Sequence, residues 1–515
     1  MNETGYSNDI INCITEDVSK IIVNAAKNCN LIKQKNIQTH SGPATKKIDK
    51  PWFDENCKQL RRTYHRSKNN YRLFKNAASR EAMVNDSKKY KKEISAKFKA
   101  YNDQFVKKVR GLRNSDPKSY WSLLNKYSGE RKSVLNKISS EVFYEHFSNL
   151  NANLTNEDDD GYNVNPDLIT EQNVVLNSPF TEAEIEKAIK LLKNNKSSSS
   201  FDNILNEYLK NAHPRMMEVF CKLFNIVLDS AIFPDIWSKG IILPLYKNKG
   251  NVSDPDNYRG ITILSCFGKL FTSLLNSRLN KFLEENNVLC EEQAGFRKHY
   301  SIVDHIFSLK MLVDLYLAKN KKLYCAFVDY RKAFDSVNRI ALWRKILSYN
   351  IDGKCFKIIY NMYDKAKSCV KSNNTLSDFF VSHTGVRQGE NLSPVLFSLF
   401  LNDLCNFMSN KYSGLQLLTD SVTHLLSDDD VEVYFKLYLL LYADDTVILA
   451  ENPQELQLAI NAMSDYCNLW GLKVNTAKTK VVIFWKNKRG LRNDPNFLFE
   501  GSILQIVDHF SYLGV

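Results

Sequence analysis

Tyr442-Ala443-Asp444-Asp445 lies between two apolar runs, residues 437–441 and 446–450. The pattern reads as strand, tight turn, strand, with both acids at the tip. Adjacent carboxylates repel one another, so a site that concentrates them calls for a cation. Carboxylate oxygens suit hard divalent ions, Mg2+ above all. An Asp-Asp pair alone reads first as a solvated turn. The rest of the chain decides between these readings.

A third acid comes from Leu323-Tyr324-Cys325-Ala326-Phe327-Val328-Asp329, which reads as a buried strand ending in a carboxylate. Tyr330-Arg331-Lys332-Ala333-Phe334-Asp335 follows, and a helix is expected from about Asn338. An acid at the end of a core strand is costly unless it is paired or metal-bound. Strands of one sheet could bring Asp329 beside Asp444 and Asp445. Three such carboxylates could hold two Mg2+ ions for in-line phosphoryl transfer.

Composition sets the frame. The chain has 515 residues, 43% hydrophobic and 12% aromatic, enough for a large globular core in several domains or subdomains. Its net charge of +13 points toward polyanionic partners. Residues 50–110 carry 18 Lys/Arg against 6 Asp/Glu, so one segment supplies nearly all of that excess. Eleven cysteines lie far apart with no C-x-x-C pair, which gives neither a zinc site nor a disulfide framework. A reducing, intracellular setting is the simpler expectation. The polar N-terminus does not read as a signal peptide, and no apolar run is long enough to span a bilayer, so no membrane partner is expected.

Along the chain, residues 1–49 are polar with a weakly amphipathic stretch at 10–26. A basic helical extension is expected over 50–147, opened by Pro51-Trp52-Phe53-Asp54, with Tyr64, Tyr71, Phe74, Tyr90 and Phe98 interleaved among Lys and Arg. This is either a charged helical pair with a narrow aromatic core or a surface that binds RNA through phosphates and base stacking. An Asn/Asp-rich linker covers 148–180, and Thr181-x-x-Glu184 is a capping box opening a helical region over 181–226. The compact domain is expected over 227–515, with a polar break at 486–496.

The ordered blocks narrow the identity. Phe327-Val328-Asp329 with Ala333-Phe334-Asp335, Gly385-Val386-Arg387-Gln388-Gly389 with Leu392-Ser393-Pro394, and Tyr442-Ala443-Asp444-Asp445 resemble the palm motifs of a reverse transcriptase. Leu243-Pro244-Leu245-Tyr246-Lys247, Asn257-Tyr258-Arg259-Gly260-Ile261, Gln293-Ala294-Gly295-Phe296-Arg297 and Gly471-Leu472-Lys473-Val474-Asn475 with Lys478-Thr479-Lys480 are similar to the non-LTR (LINE-type) retrotransposon branch. The resemblance covers about residues 180–515.

That resemblance implies an α+β fold: a right-hand polymerase palm and fingers with a basic helical N-terminal extension. The fingers would come from about 227–320, helices would pack on one face of the palm sheet, and a thumb would begin near 497. The activity implied is RNA-directed DNA polymerisation. Its partners would be an RNA template, a DNA primer and deoxynucleoside triphosphates, with Mg2+ as two ions and Mn2+ as a substitute. By position, Asp329, Asp444 and Asp445 would be the metal ligands. Lys247 and Arg259 would face the triphosphate, Phe334 would close under the sugar against a 2′-hydroxyl, and Gln388 would hydrogen-bond nucleotide or template. Arg387, Lys478 and Lys480 are secondary candidates. The setting implied is target-primed reverse transcription in the nucleus.

Some positions depart from the family pattern. Ser197-Ser198-Ser199-Ser200-Phe201-Asp202 lacks the glycine usual before this Asp, Ser301-Ile302 replaces Ser-Thr, and Glu390-Asn391 replaces Asp-Pro. The sequence also suggests a fragment without the family's endonuclease and thumb. Two alternatives therefore stand beside the polymerase: a catalytically silent nucleic-acid-binding remnant, and a group II intron-type enzyme.

Overall fold

The computed structural model describes residues 5–29, 50–116, 119–121, 123–124, 138–152, 164–170, 172–194, 200–373, 375–417, 435–437, 439–486 and 496–515. The residues at 197–199, residues 153–163 and 171 of the linker, and residues 487–495 of the polar break lie outside these. The chain forms two compact units, Met1–Lys33 with Asn136–Val515, and Gln34–Leu135.

Helix α1 (Asn8–Asn28) belongs to the larger unit and extends the expected amphipathic stretch at both ends. It buries Ile11, Val18 and Ile22 in the main core. The smaller unit contains α2 (Glu55–Phe74) and α3 (Ala77–Ser115). Lys75, in a left-handed conformation, ends α2, and the Asn76 side chain caps α3. Contacts run in opposite directions along the two helices. Lys97 meets Asp54 (2.8 Å), Asn56 meets Glu93 (2.9 Å) and the Tyr64 ring stacks on Tyr90 (6.0 Å). The pair is therefore an antiparallel hairpin. Its seam is thin: Cys57 is the buried residue of α2, while Phe74 and Phe98 stay exposed.

In the larger unit, α4 (Ser140–Leu150), α5 (Glu182–Leu191) and α6 (Met216–Ser230) precede the first strand. The expected capping box is present, with the Glu184 carboxylate accepting from the Thr181 N–H (2.9 Å). The longer helices that follow are α7 (Cys266–Glu285), α8 (Ile302–Ala318), α9 (Arg339–Ser348), α10 (Gly353–Asp364), α11 (Ser393–Leu401) and α12 (Pro453–Trp470).

The strands are β1 (Lys239–Tyr246), β2 (Tyr258–Ile263), β3 (Leu323–Val328), β4 (Lys367–Ser372), β5 (Thr375–Leu376) and β6 (Phe380–Val381). Then come β7 (Leu415–Leu417), β8 (Phe435–Leu437), β9 (Leu439–Tyr442), β10 (Asp445–Ala450), β11 (Lys480–Phe484), β12 (Phe497–Phe499) and β13 (Ser502–Ile506). The fingers sheet has the order β2-β1-β4-β5, with β6 on β4. It takes three of its strands from beyond Asp329. Phe143 and Phe147 of α4 pack on it, and Gly260 leaves the room that Phe147 fills.

The palm sheet has the order β12-β13-β11-β3-β10-β9. The segment read as the opening of a thumb supplies its last two strands. Central β3 is buried along its whole length, as a strand covered on both faces must be. Tyr324, Ala326 and Val328 face the main core, which includes apolar residues of α7, α9, α11 and α12. Leu323, Cys325 and Phe327 face Leu309, Leu312 and Tyr316 of α8, together with Tyr512. The expectation of helices on one face is thus corrected: a strand apolar on both sides needs both sides covered.

Arg339 fixes the loop that leads to Gln388. Its buried guanidinium donates to the carbonyls of Gly385 (3.0 Å), Tyr363 (2.9 Å), Ser382 (2.5 Å) and Thr384 (3.1 Å). Burial lowers its pKa to about 10, still far above neutrality, so the charge persists. Arg339→Met should cost about 3 kcal/mol by leaving buried carbonyls without donors. Thermal melts should show a midpoint several degrees lower; an unchanged midpoint would count against this role.

Candidate active site

The acids converge because of strand register. β10 pairs antiparallel with β3, and Thr446 lies opposite Val328. One further step sets Asp445 opposite Asp329. β10 also pairs with β9, and Asp445 faces Tyr442 across a two-residue turn of Ala443 and Asp444. Ala443 has φ +59°, the left-handed conformation that tight hairpin turns use. Asp329 is tied to a third segment: its N–H donates to Thr479 Oγ1 (3.1 Å) and its carbonyl accepts from Asn475 (2.7 Å).

The electrostatics follow from this crowding. Burial, then Asp444 and Asp329, pushes the Asp445 carboxyl up to about 6, although Asp445 remains open to solvent. Burial and Asp329 also raise Asp444, while Arg259 pulls it down. Lys478 Nζ stands 3.7 Å from the Asp329 carboxylate. Among the described residues, no set of three or more His, Cys, Asp or Glu is already gathered for a metal ion. The oxygen-only donors and their excess negative charge fit a hard divalent cation.

Lys247 and Arg259 belong to the β1–β2 ribbon, where Leu245 pairs with Arg259 and Lys247 donates its N–H to Asn257 (2.9 Å). The two-residue period puts both cations on one face. Lys247 Nζ donates to the Asp256 carbonyl (2.8 Å). Burial and the neighbouring Lys478, Lys332 and Arg259 lower its pKa. These cations therefore share one electrostatic environment.

Phe334 is half-buried and its ring stacks on Phe397 (4.7 Å). Its carbonyl accepts the Val386 N–H (2.7 Å), which docks the Gln388 loop beside it. The loop needs its glycines. A Cβ on Gly385 (φ +77°) would fall 2.6 Å from the Asp335 carbonyl oxygen, and one on Gly389 (φ +114°) 2.6 Å from that of Thr262. Gln388 Nε2 lies 3.5 Å from both Asp335 carboxylate oxygens. The Glu390-Asn391 departure is accommodated: Glu390 is buried and accepts from Thr272 Oγ1 (2.5 Å), and Asn391 donates to the Lys269 carbonyl (2.9 Å).

Two secondary candidates are not brought to the acids by these contacts. Arg387 is buried and donates to the carbonyls of Ser238 and Lys367 at the base of the fingers sheet. Lys480 donates to the Ala477 carbonyl (2.6 Å) and Gln505 Oε1 (2.9 Å). Sequence reasoning passed over Asp335 and Lys332. Burial pushes Asp335 up to about 6 against the pull of Lys332, Lys247 and Arg259. Lys332 bridges to Asp256 (2.9 Å). Both residues stood in the Ala-Phe-Asp region, where a second acid six residues after Asp329 was the available signal.

Comparison with known proteins identifies the family. The pattern of the family described as reverse transcriptase (RNA-dependent DNA polymerase) matches residues 246–515. The chain is 30% identical over 346 residues to the probable RNA-directed DNA polymerase from transposon BS of Drosophila melanogaster, covering 65% of this chain and 35% of that protein. It is 25% identical to the RNA-directed DNA polymerase from mobile element jockey of Drosophila funebris, again over 65% of this chain and 35% of the relative. The chain thus spans about a third of the length of these curated relatives. Among solved structures, apo telomerase from Candida tropicalis truncated from its C-terminal domain is similar at 16% identity (TM-score 0.34, 52% of this chain and 53% of that one), a likeness too loose to bear on the site. With the family pattern spanning more than half of its length, the chain belongs to the reverse transcriptase (RNA-dependent DNA polymerase) family, in the branch found in non-LTR retrotransposons.

Proposed function

We propose that this chain extends a DNA primer along an RNA template, using deoxynucleoside triphosphates, as part of a LINE-type element protein. The observation that carries this reading is the register that brings Asp329 and Asp445 to the same end of the β3–β10 ladder, one residue from Asp444, with Arg259 acting on Asp444 and Lys247 beside Arg259. Asp329, Asp444 and Asp445 would hold divalent cations. When bound there, two Mg2+ ions would supply positive charge toward the primer 3′-hydroxyl and the α-phosphate.

The protein's own groups do the remaining work. Lys247 and Arg259 neutralise the triphosphate, Arg through forked donors and Lys as a point charge. Phe334, held against Phe397, forms a floor under the sugar that leaves no room for a 2′-hydroxyl. Gln388 offers its amide to the nucleotide or template. The α2–α3 hairpin, with its cations and exposed Phe74 and Phe98, is suited to RNA by neutralisation and stacking. The DNA primer, the two-ion count, exchange of Mg2+ for Mn2+ and a nuclear setting belong to the same proposal. Among the described residues, no helix is long and apolar enough to cross a membrane.

Primer extension on poly(rA)/oligo(dT) with Mg2+ tests the reading. Wild-type extension should fall at least about a thousandfold in Asp444→Asn, roughly 4 kcal/mol of transition-state stabilisation. Salt-sensitive RNA binding with no wild-type extension would favour the silent remnant instead.

Phe334→Val should relax sugar selection. Discrimination between deoxy- and ribonucleotides should drop about ten- to a hundredfold in kcat/KM. Unchanged selection would remove Phe334 from this role.

A third outcome concerns stability without metal. Asp445 is raised in the folded chain, so its charged form costs stability above about pH 6, and the cost fades as pH falls through that value. Asp445→Asn should therefore stabilise the metal-free protein at pH 7.5. Solvent screening limits the gain to about 1 kcal/mol. Melting curves should show the gain shrinking by pH 5; the same difference at both pH values would contradict the cause given.

A further inference from the structure

Residues 292–295 run beside β9, the outer strand of the palm sheet, with Gln293 in parallel bridge to Leu441. The Leu441 N–H donates to the Glu292 carbonyl (2.9 Å), and the Leu441 carbonyl accepts from Ala294 (2.9 Å). Gln293 is wholly buried. Its Oε1 accepts two backbone N–H groups, from Gly295 (2.8 Å) and from Ala443 (3.1 Å). Its Nε2 has no partner among the described residues, so the oxygen end makes the side chain's contacts.

Ala443 is the turn residue immediately before the acid pair, in a conformation that a residue with a side chain adopts under constraint. Gly295 presses against it: a Cβ there would stand 2.2 Å from the Ala443 nitrogen. Arg297 fastens the segment from the other side. It forks onto Glu284 of α7 (3.0 and 2.9 Å) and donates to the carbonyls of Gln293 (3.2 Å) and Cys290 (3.0 Å).

The β9–β10 ladder ends at the Tyr442–Asp445 pair, so it does not fix Ala443 or Asp444 itself. The repulsion among three carboxylates acts on just that part of the chain. A buried acceptor with two fixed donors resists it, because opening the turn would strand a buried N–H.

We propose that Gln293 is a positioning residue for divalent-cation binding: its amide oxygen holds the Ala443 N–H and so sets where the Asp444 and Asp445 carboxylates stand. Gly295 admits the close approach, and the Arg297–Glu284 pair keeps the segment in place. The inference rests on reading the three acids as cation ligands.

Mn2+ binding, followed by electron paramagnetic resonance, is the readout that separates the two. Wild type, Asp444→Asn, Gln293→Met and Glu284→Gln are compared, with primer–template affinity measured by anisotropy on the same preparations. Gln293→Met keeps the volume and removes the acceptor. Its Mn2+ affinity should fall about tenfold, as for other residues that orient metal ligands, while duplex affinity stays within about twofold. Wild-type Mn2+ affinity in folded Gln293→Met overturns the proposal. If that variant melts below the assay temperature, Glu284→Gln decides instead, since it loosens the Arg297 anchor from a half-exposed site. Weaker Mn2+ binding at unchanged duplex affinity supports the proposal, and unchanged Mn2+ binding overturns it. A wild type without Asp444-dependent Mn2+ binding fails the cation-site reading itself, and the proposal falls with it.

Discussion

Three carboxylates stay close only if the backbone beneath them is stiffer than their repulsion is strong. The β3–β10 ladder provides that stiffness, because its register, with Thr446 opposite Val328, carries Asp445 and Asp329 to one end of the pair. A slip of one residue would turn every apolar side chain of the pair toward the wrong core. Ile448 and Ala450 belong to one core, Val447 and Leu449 to the other. The burial that holds the register therefore also holds the chemistry. This explains why so much packing, on both faces of the sheet, converges on a short strand that ends in an acid.

The fingers cations reach this platform from a separate sheet. Among the described residues its ties include Lys332 to Asp256 at an exposed position, the Gln388 carbonyl to the Thr262 N–H, and buried Arg387 to the Ser238 and Lys367 carbonyls. An exposed ion pair contributes about 1 kcal/mol or less.

The parts of this arrangement visible in the sequence are those with local signatures. β3 and β10 are apolar runs bounded by acids, α9 begins near Asn338 as expected, and Thr181 with Glu184 forms its box. What stayed hidden depends on partners distant in the chain. Arg387 looked like a loop cation, but its burial exists only because β1 and β4 pair in parallel and bring the Ser238 and Lys367 carbonyls together. Asp335 acquires its shifted carboxyl only once the Gly385–Gln388 loop folds over it. The residues from 497 onward gave no local sign that β13 would pair with β11. The three acids were legible as residue types in order, whereas Gln293, inside an equally visible block, could not be assigned a role without the turn it grips.

The run of residues 292–295 beside β9 has a second consequence. β9 is an outer strand of three leucines and a tyrosine, the kind of edge that invites pairing with a strand from another molecule. Both outward hydrogen-bonding groups of Leu441 are already taken by the chain itself. Strand addition at Leu441 would therefore have to displace the same short segment that braces the acid turn.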